Sequence, residues 1–317
     1  MIPAGLDQTL EALRAGALPR AGGTDLLARP HTARTHTAQA IADLRDVAEL
    51  AGIHHLPDGS ARIGATTTIA HLAGDERLST THPALVAAAR TLATPQIRAT
   101  ATVGGNLLQR NRCPYLRNPA FTCHQTGGDD CPARTGWHSW AVVIDHSACI
   151  APHPSSLAVP LLAYDARAEL HPGGAIPLTD LYGDGTDPTR DHQLTSEQLL
   201  TAVHIPAPPE GERAVHQRTT AHGTTDWPLV ETTARLLITR GTIESAAVAV
   251  GGIARTPQRL TAVETALIGQ PATTDTADTA AAHATADCTP LPQARHKTRI
   301  LHHTVLDTLH KALGDTA

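Results

Sequence analysis

Between residues 100 and 158 the chain gathers a Gly104-Gly105-Asn106 turn and four of its five cysteines, Cys113, Cys123, Cys131 and Cys149. The spacers between the thiols hold Pro114, Pro119, Gly127, Gly128, Pro132 and Gly136. Such turn-rich spacers suit a loop wrapped around a metal core rather than a long helix or an interior strand. Four thiolates match the ligand count of an iron–sulfur cluster or of a structural zinc. The gaps of nine, seven and seventeen residues form neither a C-x-x-C zinc pair nor a ferredoxin run, so both metals stay open. Disulfides rank below them, because no secretory leader is recognisable at the start of the sequence and reduced thiols are then expected.

The rest of the composition narrows the partners. With 317 residues and only one phenylalanine, the core must come from Ala, Leu, Val and Ile spread over two or three domains. The net charge of −5 and the lack of a basic stripe argue against nucleic acid. No apolar run has the roughly 18 residues of a membrane span. The 20 histidines are scattered and are expected to be solvated. The expected location is cytoplasmic, or periplasmic only if a signal-bearing partner carries the chain.

Local patterns give the remaining elements. Leu6, Leu10 and Leu13 lie at helical spacing, with Gly16 as the stop. A turn follows at Gly22-Gly23, either an ordinary tight turn or a loop whose amides approach an anion. Residues 29–37 are expected to be a loop, and 40–50 a strand then a short helix. Pro57-Asp58-Gly59 makes a hairpin of 52–56 and 60–66. Thr66-Thr67-Thr68 caps a helix, a second covers 83–93, and Pro95 ends it. Ser156 is expected to cap a helix over 157–162 that leads into a strand at 166–170. Gly173-Gly174 and then residues 178–193 are expected to be loop-rich, 199–206 a strand and 206–212 a linker. Beyond it the pattern predicts a strand near 215–222, a helix over 226–238, a strand pair over 242–254, and a helix over 259–269. A low-complexity stretch at 272–287 precedes a terminal amphipathic helix with Ile300, Leu301, Val305 and Leu309 on one face. Cys288, in the polar tail, is a bystander.

Read together, Ala21–Leu27 (AGGTDLL), the segments IADLRDVAEL and IGATTTIAHL, Thr102–Arg110 (TVGGNLLQR), the RCPYLR run and AVGGIARTPQRLTAVETALIG resemble one family in order and spacing. It is the FAD-binding (medium) subunit of the xanthine dehydrogenase/aldehyde oxidoreductase molybdenum hydroxylases, in the branch whose flavin subunit carries an extra [4Fe-4S] cluster. The resemblance implies an α+β chain. A vanillyl-alcohol-oxidase (PCMH)-type FAD-binding domain would cover 1–208, with subdomains at about 1–55 and 56–208 and the cluster loop at 110–150. An α/β C-terminal domain of the CO dehydrogenase flavoprotein type would cover 212–317.

The resemblance also implies site residues. Pro19, Arg20, Ala21, Gly22, Gly23, Thr24, Asp25 and Leu26 would wrap the FAD pyrophosphate, with Thr102, Gly104, Gly105 and Asn106 as the second wall. Arg218 falls where the family has a basic residue near the flavin. Where the family has Ser-Asp, this chain has Ser155-Ser156, so Ser156 would offer FAD a hydrogen bond but no charge. Cys113, Cys123, Cys131 and Cys149 would hold the [4Fe-4S] cluster. No general acid or base is expected, because the flavin carries the chemistry. Electrons would come from a molybdopterin-binding large subunit through a [2Fe-2S] small subunit, in a heterotrimer or its dimer, and leave to an external acceptor. Two rival functions remain from the residues alone: a zinc-binding structural module, and a stand-alone flavin oxidase.

Overall fold

The computed structural model describes residues 1–28 and 40–314; the loop expected at 29–37 lies outside them. Among the described residues, three sheets organise the chain. The first helix, Leu6–Arg14, buries Leu10 and Leu13 against Ala42, Val47 and Leu50. It leads into strand Leu18–Arg20, which pairs in parallel with Ile41–Asp43.

A five-stranded antiparallel sheet follows, in the order Ile53–His55, Ala61–Gly64, Leu199–Ile205, Arg167–His171 and Gly174–Pro177. Its first two strands form the hairpin that Pro57-Asp58-Gly59 requires. Helices Ile69–Gly74, Pro83–Thr91 and Ala158–Ala163 supply Ile69, Leu72, Leu85 and Leu161 to the same core. Thr68 caps the first of them by accepting from the His71 amide.

The C-terminal unit is a four-stranded antiparallel sheet, ordered Gln258–Arg259, Thr242–Gly251, Pro228–Thr239 and Glu212–Thr220. Helix His296–Leu313 packs on it with Leu301, Val305 and Leu309 fully buried, while Ile300 is only partly covered. Each such buried leucine or valine contributes about 1.5–3 kcal/mol. Among the described residues no helix is long and apolar enough to cross a membrane.

Several expectations are corrected. Pro95 does not merely end the preceding helix: with Thr94 as N-cap it starts a new one, Pro95–Thr100, since proline at the first helical position loses no hydrogen bond. Gly104-Gly105-Asn106 is not a turn but the body of a short helix, Val103–Leu107, capped by Thr102. The loop-rich stretch contains a helix, Leu178–Tyr182, and the low-complexity stretch a helix, Thr274–Ala281, whose Ala277, Ala280 and Ala281 are buried. Residues 226–238 form no helix. They belong to strand Pro228–Thr239, paired on both sides and buried from Val230 to Ala234. A run apolar on both faces satisfies a central strand as well as a helix, and its β-branched Val230, Thr232 and Thr233 favour the strand. The strand pair at 242–254 is one long strand, Thr242–Gly251.

Candidate functional site

The two glycine motifs meet across one cleft. A cavity of 480 Å³ is lined by Pro19 to Leu26 on one side and by Thr102, Gly104, Gly105 and Gln109 on another. His192 and the 194–200 stretch, including Leu199 and Leu200, complete it. Its size lies within the roughly 300–1,000 Å³ of small-molecule sites. The walls approach so closely that a Cβ on Gly22 would stand 2.0 Å from the Thr100 carbonyl oxygen. Gly23 turns the chain with φ +74°, a conformation that costs glycine little. The second wall is fixed by the short helix, where the Thr102 hydroxyl accepts from the Gly105 amide at 3.2 Å.

Three residues expected at the cofactor do not line this cleft. The Asn106 side-chain Oδ1 accepts from the Ser155 hydroxyl at 2.7 Å and the Leu157 amide at 3.3 Å, tying the second motif to the helix behind it. Ser156 is not the helix cap. Ser155 takes that role, accepting from the Ala158 amide at 3.2 Å, while the Ser156 hydroxyl donates to buried Glu231 at 2.9 Å. The capping hydroxyl therefore lies one position earlier than expected, because Ser156 faces the C-terminal sheet. Arg218 donates to the carbonyls of Thr91, Thr224 and Asp226, which directs its charge along the domain boundary.

The four cysteines do converge. Cys113, Cys123, Cys131 and Cys149 line one small cavity of 20 Å³, and all four are free thiols. Each is presented by its own local device. The Cys113 amide donates to the Asn111 side chain, and Cys113 opens a turn closed by the Arg117 amide. Cys123 caps a 3-10 turn, His124–Thr126, that ends at left-handed Gly127. Cys131 precedes helix Pro132–Thr135. Arg134 in that helix pairs with Asp145 and donates to the Ser147 and Ala148 carbonyls, which pins the approach to Cys149. Burial raises the Cys113 thiol above its ordinary value and pushes Cys149 up to about 11. Both are protonated at neutral pH, and a metal must displace those protons to bind.

Four thiol sulfurs on one cavity are the donor set that either a zinc ion or a cubane would use. Among the described residues, no three His, Cys, Asp or Glu side chains are placed to hold one metal ion. A zinc with bonds of about 2.3 Å would draw four sulfurs to within roughly 3.8 Å of each other. A cubane spreads its thiolates, because each binds a different iron.

Charged residues join the two cavities. Asp25, from the first glycine loop, pairs with Arg112 and Arg117 at 2.9 Å each and accepts from the Arg110 amide at 3.2 Å. Asp191, beside His192, is 3% exposed and accepts from Arg110, Asn111, Gln125 and Arg255. Burial alone would raise its pKa, but the Arg255 charge and the bonds from Asn111 and Gln125 hold it well below the usual carboxylate range. The adjacency of Arg110, Arg112 and Arg117 to the first cysteine was the one signal in the sequence. A third cavity of 140 Å³, walled by Trp137, Trp140 and Trp227, shares Cys113 with the thiol cavity.

Comparison with known proteins gives the chain its family. Residues 1–208 match the FAD binding domain in molybdopterin dehydrogenase, and residues 218–313 match the CO dehydrogenase flavoprotein C-terminal domain. Over 239 residues the chain is 36% identical to the aldehyde oxidoreductase FAD-binding subunit PaoB of Escherichia coli K12, covering 73% of each chain. It is 29% identical to the putative xanthine dehydrogenase FAD-binding subunit XdhB of the same organism, over 75% of this chain and 68% of that one. In fold it is similar to a chain of the reconstituted CO dehydrogenase from Oligotropha carboxidovorans, with TM-score 0.75, 21% identity, and 99% and 97% of the two chains covered. A chain of quinoline 2-oxidoreductase from Pseudomonas putida 86 gives TM-score 0.73 at 21% identity, covering 98% of this chain and 95% of that one. The expected α+β fold with a flavin domain and a CO dehydrogenase-type C-terminal domain is therefore the one observed, and the chain belongs to the molybdopterin dehydrogenase FAD-binding family, as a medium, FAD-binding subunit of the xanthine dehydrogenase/CO dehydrogenase type.

Proposed function

We propose that this chain is the FAD- and [4Fe-4S]-carrying electron-transfer subunit of a molybdenum hydroxylase of the aldehyde or xanthine dehydrogenase type. The carrying observation is the convergence of Cys113, Cys123, Cys131 and Cys149 on one cavity, joined through Asp25 to the cleft lined by both glycine motifs. Pro19 to Leu26 are assigned to one side of the FAD, and Thr102, Gly104 and Gly105 to the other. Asn106 supports that second wall from behind. We assign the division at 1–208 and 212–317 with support from the two main cores, although Val143 joins the C-terminal core and Ala249 the other.

Bound FAD supplies two-electron redox chemistry, and the protein's part is to bind and tune it. The chain's own residues exclude water and fix positions. Close packing of Gly22 on Thr100 seals the cleft between its walls. Thr102 holds the second wall in register, and Arg134 with Asp145 fixes two of the thiol-bearing segments. No proton donor or acceptor is needed at these positions. The electrons would be supplied by a molybdopterin-binding large subunit through a [2Fe-2S] small subunit and pass to an external acceptor, a reading supported by the relatives' being named as FAD-binding subunits of oxidoreductases.

The test is a visible spectrum with iron and flavin analysis of the anaerobically purified chain. One FAD and about four iron atoms per chain are expected. Zinc without flavin would overturn the assignment in favour of a structural module. Full iron retention in Cys123→Ser would overturn the ligand set.

A further inference from the structure

We propose that the segment from Arg110 to Arg117 is a latch that couples occupancy of the thiol cavity to the affinity of the cleft for FAD. The inference rests on the cofactor reading above and adds a thermodynamic link between the two sites.

The segment grips two separate stretches of the cleft lining. On the first, Asp25 is held by the Arg110 amide and by the guanidinium groups of Arg112 and Arg117. Arg117 also donates to the Ala28 and Arg110 carbonyls, at 3.2 and 3.1 Å, and to the Asn111 carbonyl at 3.0 Å. On the second, Asp191 is held by Arg110 Nε at 2.9 Å and by the Asn111 amide and side chain at 3.3 and 3.0 Å. His192, which follows it, lines the cleft. Arg112 in addition donates to Gln109, a third lining residue, at 2.7 Å.

The same segment carries a cysteine of the thiol cavity, Cys113. The Cys113 amide donates to Asn111 Oδ1 at 3.0 Å, so the side chain that holds Asp191 also fixes Cys113. Gln125, two residues after Cys123, bonds Asp191, Asn111 and Arg110 together. A metal core that binds Cys113 and Cys123 immobilises both ends of this network. Asp25 and Asp191 then need no further ordering when FAD binds. Without the core, the ordering of Arg112, Arg117 and Gln125 opposes FAD binding. Two ligands that share an ordering cost bind cooperatively without any change in the average structure.

The experiment measures the FAD dissociation constant of the full chain by flavin fluorescence, in iron-replete protein, chelator-stripped protein, Arg117→Gln and stripped Arg117→Gln. Arg117 lines neither cavity, so its change acts through Asp25 and the segment alone. Circular dichroism of each sample confirms that the fold persists. The expected result is FAD affinity about tenfold weaker in stripped protein, within the usual range of coupling between sites. Arg117→Gln with its iron retained should lose a similar factor, and stripping it should add little. By reciprocity, FAD should raise by about the same factor the chelator concentration that removes half the iron. Equal FAD affinity with and without iron overturns the latch, as do strictly additive losses. A chain that takes up no iron, or no FAD, overturns the cofactor assignment instead. A chain that binds both independently leaves that assignment intact and removes only the coupling.

Discussion

The cleft and the thiol cavity are built on opposite principles. The cleft is shaped by backbone: Gly22 against Thr100, the Gly23 turn, and a short helix whose amide is capped by Thr102. Nothing in that shape has to change protonation. The thiol cavity is shaped by side chains on a loop whose regular structure amounts to two short turns, and burial holds its Cys113 and Cys149 thiols protonated. Backbone packing gives the cleft a volume of 480 Å³, while the thiol cavity holds 20 Å³. A preformed cleft depends on close approach, and a metal site depends on which donors arrive together.

The sharpest way to break this comparison is at the donors. Cys123→Ser should lose essentially all iron, because a serine oxygen is a poor substitute for a soft thiolate, while FAD remains measurable. Iron and flavin assays on one sample check both halves. The next largest effect falls on the backbone. Gly22→Ala would place a Cβ at 2.0 Å from a backbone oxygen that cannot rotate away. Overpacking of this kind costs about 1–3 kcal/mol or more. The variant should unfold at lower urea and bind FAD at least tenfold more weakly while holding its iron. Loss of iron without loss of FAD in Gly22→Ala would reverse the division of labour.

Lys297 gives a control for burial without metal. Its ammonium is buried, donates to the carbonyls of Ala141 and Gly252 at 2.9 and 2.6 Å, and is pulled down to about 7 by desolvation. The unfolded lysine keeps its proton up to its ordinary value, so between those two values the unfolded state binds more protons. Stability from this group therefore rises with pH above about 7, by about 2 kcal/mol between pH 7 and 9. The buried thiol has the opposite sign. Cys149 is raised, so its contribution is lost as pH climbs from its ordinary value through about 11. Urea titrations at pH 7, 8 and 9 should show the rise, and Lys297→Met should flatten it.

How much of this was legible in the sequence follows the range of the interactions. The cap at Thr68, the hairpin at Pro57-Asp58-Gly59 and the terminal helix are set within a few residues, and the sequence predicts them correctly. Strand Pro228–Thr239 was not legible, because its two neighbouring strands decide it and its apolar spacing fits a helix equally well. The glycine motifs and the four cysteines were visible as residue types. What they require of each other was not: Gly22 needs glycine because Thr100 is there, some 80 positions on. Asp191 takes bonds from Asn111, 80 residues away, and from Arg255, 64 residues away, and carries no local signature. Ser155 and Ser156 differ only in what each hydroxyl meets, Asn106 and the Ala158 amide for the first and Glu231 for the second.

The smallest effect tests whether the cleft's second wall is local in origin. The Thr102 hydroxyl accepts from the Gly105 amide, and Thr102 is 3% exposed. Loss of such a cap costs about 1 kcal/mol. Thr102→Ala should therefore lower the urea midpoint slightly and weaken FAD only a few-fold, whereas Thr102→Ser, which keeps the hydroxyl, should restore most of both. If Thr102→Ala instead matched Gly22→Ala in its loss of FAD, the hydroxyl would have to act on the ligand directly. The second wall would then be a side-chain site like the thiol cavity, and the contrast between the two regions would hold for the first wall alone.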